Sequence, residues 1–376
     1  MAQHVTLIAT AAMGLESVVA NEVRQLGYEV EVENGKVTFD APIVAIPRCN
    51  LWLRTADRVK LQVGRFKAVT FDELFEQTKA LPWEHSISED GKFPVSGKSV
   101  KSTLYSVPDC QAIVKKAIAE RLKLKYGVAG KLPESGALFK VEVSLHKDDV
   151  VLTIDTSGTG LHKRGYRVNQ GEAPLKETMA AALILLTNWK PEYPLVDPFC
   201  GSGTIPIEAA LIGQNIAPGF NRSFASEDWH WIRNNHWNEA MEEVEDKADY
   251  DKALDITGTD IDHTMTAAAN ENALEAGLGD LVTWKQMQVK DLSIQQPNGY
   301  LIGNPPYGQR IGDQESAANI YRQLGQIMIK QPSWSVYILT AFENFEKEYG
   351  QTATKKRKLF NGFIETNYYQ YFGTKQ

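Results

Sequence analysis

The sequence predicts an α/β protein, with a doubly wound, largely parallel sheet in the rear half and α+β structure in the front half. Three observations carry this reading. From about Tyr193 onward, short apolar runs alternate with stretches of helical periodicity, as in βαβ units. The first of these runs leads into Asp197-Pro198-Phe199-Cys200-Gly201-Ser202-Gly203-Thr204, a glycine-rich turn that opens a helix. The front, by contrast, reads as strand, helix, hairpin, helix and strand before any such turn.

Taken in order, residues 5–10 alternate as a strand, and residues 14–26 set Leu15, Val18, Val19, Val23 and Leu26 on one helical face. Residues 28–40 read as a hairpin with Asn34-Gly35 as its two-residue turn. A helix over 43–53 and a strand over 58–66 complete the β-α-β-β-α-β order of a ferredoxin-like unit, residues 1–65. Residues 66–160 then hold a helix (71–81), a strand and turn (93–105), a helix (110–126) and a hairpin (139–145, 150–155). The helix over 110–126 carries Ile113, Val114, Ala117, Ile118 and Leu122 on one face and Lys115, Lys116, Arg121, Lys123 and Lys125 on the other. The rear domain, 161–376, has strands at 195–199, 256–260, 282–286, 299–303 and 335–340. Its helices fall at 204–212, 265–276, 317–329 and 343–348, and a hairpin around Asn361-Gly362 ends it. About 40 residues between the first helix and the second strand exceed an ordinary connection. Trp229, His230, Trp231, Arg233 and Trp237 lie there, and tryptophans in an insertion pack it onto its domain more often than they stack bases.

At 376 residues the chain has room for two or three domains with sizeable cores. No apolar run approaches the roughly 20 residues of a membrane span. The first residues lack the charged and apolar regions of a signal peptide. Three well-separated cysteines without a C-x-x-C pair suggest a reducing compartment, hence a cytoplasmic protein, and argue against a structural zinc site. A net charge of −7 excludes a protein basic all over, yet residues 91–131 hold nine Lys/Arg against Asp109 and Glu120. Localised phosphate binding and a solvated helix face both fit that segment.

Two stretches carry chemistry. In the glycine turn, backbone N–H groups and a helix N-terminus approach a ligand, with Gly201 and Gly203 leaving room. In Asn304-Pro305-Pro306-Tyr307-Gly308, after the apolar run 299–303, an amide, two rigid prolines and an aromatic ring make a clamp for a planar group bearing NH2. Asn-Pro-Pro-Tyr after a strand resembles motif IV of S-adenosylmethionine-dependent amino methyltransferases, and Asp-Pro-Phe-Cys-Gly-Ser-Gly-Thr resembles their motif I. The resemblance implies a seven-stranded Rossmann-like methyltransferase sheet whose last strand is antiparallel. It assigns cofactor contacts to Asp197, Phe199, Gly201, Gly203, Thr204, Asp260, Asp291 and Asn304, and catalysis to Asn304, Pro305, Pro306 and Tyr307, with no metal. Asp260 would take the ribose hydroxyls and Asp291 the adenine amino group, while Asp262 fits a helix cap. Cys200 lies in the cofactor turn, outside the acceptor stretch, which argues against a nucleophilic thiol.

The segment 65–157 resembles a THUMP domain, an RNA-binding module of tRNA and rRNA modifying enzymes. That resemblance implies RNA contacts from Lys115, Lys116, Arg121, Lys123 and Lys125. The run Leu161-His162-Lys163-Arg164-Gly165-Tyr166-Arg167 resembles the joint of THUMP-linked guanine-N2 methyltransferases, adding His162, Lys163, Arg164 and Arg167 as RNA contacts. Ala173-Pro174-Leu175-Lys176-Glu177-Thr178 resembles the segment that caps their cofactor pocket. Asn-Pro-Pro-Tyr alone leaves adenine N6, guanine N2 and a protein glutamine amide open. The whole layout resembles the 23S rRNA guanine-N2 methyltransferase family, in its N-terminal methyltransferase half. A tRNA guanine-N2 methyltransferase is the near alternative. An adenine-N6 DNA methyltransferase, or an assembly factor with a vestigial fold, is more distant.

Overall fold

Residues 4–168, 174–308 and 313–374 are described in the structure, a computed structural model. The chain divides into two units. One runs to Ala11, resumes over Val19–Leu161 and takes in Ser223–Glu243; the other comprises Ala12–Val18, His162–Arg222 and the chain from Val244.

The front unit is built on one seven-stranded sheet. In chain order its elements are β1 (His4–Thr10), α1 (Glu16–Gln25, begun in the rear unit), β2 (Glu31–Glu33), β3 (Lys36–Pro42), α2 (Ala45–Trp52) and β4 (Arg58–Lys67). There follow α3 (Phe71–Ala80), β5 (Val95–Val100), α4 (Val107–Tyr126), β6 (Val141–His146) and β7 (Asp149–Asp155). The sheet order is β2-β3-β1-β4-β7-β6-β5, so the β4–β7 pairing joins the ferredoxin-like and following segments into one sheet. One face is apolar and buried, with Leu7, Ala9, Val37, Phe39, Val59, Leu61, Val143 and Leu152 on it. The expected hairpin and helix positions recur here. α3 opens with a capping box, in which Thr70 Oγ1 accepts from Glu73 N and the Glu73 carboxylate accepts from Thr70 N.

The tryptophan-rich insertion belongs to this front unit, whereas the sequence suggested that it packs on the domain interrupted by it. Trp229 is buried, stacks on Phe139 at 5.1 Å between centroids and donates from Nε1 to Leu138 O at 3.1 Å. Trp231 Nε1 donates to Ser86 O at 2.9 Å, and the Arg48 guanidinium grips both oxygens of Glu243 at 2.5 and 2.8 Å.

The rear unit opens with α5 (Glu177–Leu185), β8 (Leu195–Asp197) and α6 (Thr204–Gly213), and α7 (Asn234–Lys247) returns to it from the insertion. It continues with β9 (Ile256–Asp260), α8 (His263–Glu275), β10 (Val282–Gln286), β11 (Tyr300–Gly303), α9 (Asp313–Met328), β12 (Ser335–Thr340), α10 (Phe345–Tyr349), β13 (Lys355–Asn361) and β14 (Ile364–Tyr371). Sheet order is β10-β9-β8-β11-β12-β14-β13, with the first five strands parallel and β14 antiparallel to both neighbours. This is the seven-stranded, doubly wound sheet that the sequence predicts. β11 and β12 are almost wholly buried, which explains their unbroken apolar runs. α5 lacks an amphipathic stripe because Met179 to Ile184 are all buried. For that reason periodicity did not reveal it. Among the described residues no helix is long and apolar enough to cross a membrane.

Trp229→Ala should cost about 3–5 kcal/mol, the range for truncating a buried aromatic. Urea unfolding of the full chain followed by tryptophan fluorescence and circular dichroism would measure this. A loss near zero would mean that the insertion is not part of the front unit's core.

Candidate active site

The site is built on the C-terminal ends of β8, β9 and β11. Asp197 ends β8, is buried, and accepts from Phe199 N at 3.0 Å. The chain then turns through Gly201 (φ +51°) and Gly203 (φ +87°) into α6. A Cβ on Gly203 would stand 2.7 Å from the Trp284 ring and 2.8 Å from the Ala269 methyl, so both φ and space require glycine. A Cβ on Gly201 would meet nothing within 4 Å, so this glycine faces open space. Asp260 ends β9 and accepts from Gly201 N and Asp262 N, each at 3.0 Å, on different oxygens. One N–H on each carboxylate oxygen leaves further lone pairs to accept from a ligand. Asp262 accepts from Thr264 N at 2.8 Å and caps α8.

Burial pushes the Asp197 carboxyl up to about 8, helped by the nearby Asp260 charge and opposed by the Phe199 hydrogen bond. Burial also pushes the Cys200 thiol far above its ordinary value, with Asp197 and Asp260 adding to the effect. A thiol so disfavoured as thiolate is a poor nucleophile.

Two hollows meet here. One of about 230 Å³ is lined by Leu175, Asp197, Phe199, Gly201, Thr204 and Asn304 among others. A larger cleft, about 780 Å³, runs from Asp260, Ile261 and Gln288 to Asn304, Pro305, Pro306 and Tyr307. Phe199 and Asn304 line both. Asn304 Oδ1 accepts from Tyr307 OH at 2.6 Å, and Tyr307 OH accepts from Asn361 Nδ2 at 3.2 Å. Burial raises the Tyr307 phenol to about 12, so it stays a donor across the neutral range. Behind the prolines, Tyr321 OH donates to Pro306 O at 2.7 Å and lies 3.0 Å from Thr340 Oγ1.

Asn304, Pro305, Pro306 and Tyr307 thus share one cleft with Phe199 and Asp260, and Asp197, Gly201 and Thr204 line the adjoining hollow. Asp291 is exposed on a short turn and lines neither hollow, whereas Met287, Gln288 and Val289 just before it do line the cleft. Sequence reasoning missed Asn361 and Ile364, which the terminal hairpin brings to the cleft, and Ser316 and Asn319 of α9. The Asn361-Gly362 turn was visible in the sequence; its proximity to the acceptor stretch follows only from β14 pairing with β12.

The cationic joint needs correction. Arg164 was expected to meet RNA but is buried, 3.3 Å from each oxygen of buried Glu208, to which Tyr166 OH also donates. The Arg167 side chain is likewise buried, donating to Glu177, Ser202 Oγ, Thr204 Oγ1 and Leu175 O. A guanidinium leaves water only where carboxylates and oxygens satisfy it, as here. Lys163 is exposed and His162 half-buried. On α4, Arg121 is bidentate to Glu84, Lys125 lies 3.6 Å from the same carboxylate, and Lys115 pairs with Glu134 above the Phe93 ring. Lys116 and Lys123 keep solvent contact.

Comparison with known proteins identifies the domains. The methyltransferase domain described as RMKL-like (UPF0020) matches residues 164–370, the RlmL ferredoxin-like domain matches 6–60, and the THUMP domain matches 68–155. The chain belongs to the RMKL-like methyltransferase family. YpsC of Bacillus subtilis (strain 168), named for RNA methyltransferase activity, is 64% identical over 98% of this chain and 96% of its own. A ribosomal RNA large subunit methyltransferase K/L of Cellvibrio japonicus is 34% identical over 95% of this chain, which spans 49% of that protein. Among solved structures, SMU.472 in complex with SAH is 48% identical with a TM-score of 0.95, each chain covered in full. A Listeria monocytogenes protein described as a predicted N6-adenine-specific DNA methylase is 60% identical, TM-score 0.96, over 99% of this chain and 97% of that one. The rear unit of this RMKL-like protein therefore has the fold of the S-adenosylmethionine-dependent methyltransferases, and the front carries a THUMP domain.

With its carboxyl raised to about 8, Asp197 keeps a proton in the folded protein where the unfolded chain, at the ordinary value of 3.8, has lost it. The folded state then binds more protons than the unfolded one, so this group's contribution favours folding less as pH rises from about 4 to 8. Asp197→Asn removes that slope. Relative to wild type the variant should gain on the order of 5 kcal/mol between pH 4 and 9. Denaturant midpoints across that range measure it, and a constant difference would rule the raised carboxyl out.

Proposed function

We propose that this methyltransferase moves the methyl group of S-adenosylmethionine to the exocyclic N2 of a guanine in large-subunit ribosomal RNA. The observation that carries the reading is the Asn304–Tyr307 clamp at the end of β11, in a chain that also contains a THUMP domain. The residues present fit the cofactor. The hollow beside Asp197, Ser202 and Thr204 offers a carboxyl, hydroxyls and turn amides to an amino-acid moiety, and Asp260 offers its carboxylate to ribose hydroxyls. When bound, the cofactor supplies an electrophilic methyl on a sulfonium.

The chain's own residues prepare the nucleophile. A guanine N2 is weakly nucleophilic because its lone pair is delocalised into the ring. Asn304 Oδ1, on releasing Tyr307 OH, accepts one N–H of the base, and the Pro305 carbonyl accepts the other. These two acceptors hold the amine with its lone pair directed at the methyl and stabilise the positive charge that grows on nitrogen. Tyr307 stacks on the base, and Tyr321 steadies the proline backbone through Pro306 O. A base within a helix has to be flipped out to enter. The similarity to a K/L protein named for the ribosomal large subunit favours that RNA over tRNA.

The test is transfer of labelled methyl from S-adenosylmethionine to unmodified 23S rRNA, tRNA and plasmid DNA in parallel, with nucleoside analysis. Label is expected in N2-methylguanosine of 23S rRNA. Asn304→Ala should lower the transfer rate by about 10²–10³, the loss typical of one transition-state hydrogen-bonding group. Label in tRNA alone would move the substrate, and label in DNA adenine would overturn the reading.

A further inference from the structure

The front unit's sheet has a second, open face, and its pattern of charge points to a ligand. On that face lies a groove of about 820 Å³. Its floor is fixed by strand register. Arg65, Val151, Ser144 and Lys98 stand in one row across β4, β7, β6 and β5; Lys67, Asp149 and His146 stand in the next. Lys60 and Thr153 belong to the same face nearer β1, and Lys36 pairs with Thr10 at the far side. From β3 to β5 the floor is about 24 Å wide at the usual strand spacing.

A bulge makes this face cationic. Register shifts between Gln62 and Gly64, with Val63 the extra residue on β4. Side chains alternate along a strand, so without the extra residue the face holding Lys60 and Gln62 would continue with Gly64 and Phe66. With it, Arg65 and Lys67 join Lys60 on the groove side. Six Lys/Arg line the groove (36, 60, 65, 67, 98 and 147) against Glu33, Glu142 and Asp149. The three carboxylates already serve Lys36, Arg65, Lys60 and Lys98. No ion pair holds Lys67 or Lys147 among the described residues, and both are exposed. This concave surface therefore carries three more cations than anions. At its β6–β7 end, Thr103 N donates to Asp148 Oδ1 at 2.6 Å, and Ser102 Oγ accepts from Asp148 N at 3.1 Å.

We infer that this groove, and not the cationic side of α4, binds a short single-stranded RNA segment through its phosphates. The inference rests on the substrate being RNA. On α4, Arg121, Lys125 and Lys115 are already held by Glu84 and Glu134. The groove's spare positive charge matches a polyanion, and its width suits a few nucleotides and not a protein surface.

The test uses the full chain and a fluorescein-labelled, unstructured 12-nucleotide oligouridylate, followed by anisotropy at several salt concentrations. The triple variant Lys67→Glu/Lys98→Glu/Lys147→Glu should bind at least about tenfold more weakly. It should also have a log–log salt slope shallower by about 2, since each lost phosphate contact on a single strand removes roughly 0.7. Lys116→Glu/Lys123→Glu on α4 should bind within about twofold of wild type. SAH binding by calorimetry checks that the groove variant is folded. Unchanged RNA affinity in the groove variant, a loss confined to the α4 variant, or equal competition by polyglutamate would each overturn the inference. Wild-type methyl transfer is measured beside these. Transfer to RNA with an indifferent groove sinks the groove alone, while groove-dependent binding without transfer to any RNA supports the groove and sinks the proposed reaction.

Discussion

One buried guanidinium underlies the catalytic unit. Arg167 donates at once to Glu177, to Leu175 O and to the hydroxyls of Ser202 and Thr204. It thereby fixes the start of α5 and the glycine turn relative to each other. Asn272 extends the same web, accepting from Val168 N and donating to Ser202 O. Deleting one partner of such a pair leaves a charge in a dry environment, a loss of about 3–5 kcal/mol. The left-handed glycines, the Asp260 contact with Gly201 and the hollow beside Asp197 all presuppose that this turn stays put.

The acceptor clamp follows a different logic. Asn304, Tyr307 and Asn361 satisfy one another before any base arrives. In the proposed reaction the base exchanges hydrogen bonds with this set instead of creating them, and the net gain from each is small, about 1 kcal/mol. Discrimination is then strongest against a base that cannot replace what it displaces. In that reaction an exocyclic carbonyl oxygen in place of the amine would meet Asn304 Oδ1 and the Pro305 carbonyl with no proton to offer either.

Much of the rear unit was legible because its determinants are local. A buried parallel strand is an apolar run bounded by turn residues, and the two stretches 197–204 and 304–308 carry their chemistry in consecutive positions. The arginines of the joint were misread for the opposite reason. Arg164 and Arg167 sit in a cation-rich run that looks solvent-facing, and their partners, Glu208 and Glu177, lie 44 and 10 residues further on. Arg121 on α4 is neutralised by Glu84, 37 residues before it, so a count of local charge overstated what that helix offers to solvent. The β4 bulge leaves no mark in the residues themselves, since Val63 is as ordinary in a strand as its neighbours. Trp229 shows the same limit: its ring was visible, its partner Phe139 was not.

The insertion has a consequence for synthesis. The front unit needs Trp229 against Phe139 and Glu243 against Arg48, yet both partners on the inserted side come after the turn and first helix of the rear unit. A chain emerging from the ribosome N-terminus first has Phe139 and Arg48 outside without these two partners when residue 161 appears. Trp229 and Glu243 follow later, after β8 and α6 in the chain. Chain order therefore builds into synthesis an interval in which Phe139 lacks the Trp229 ring that covers it in the folded protein.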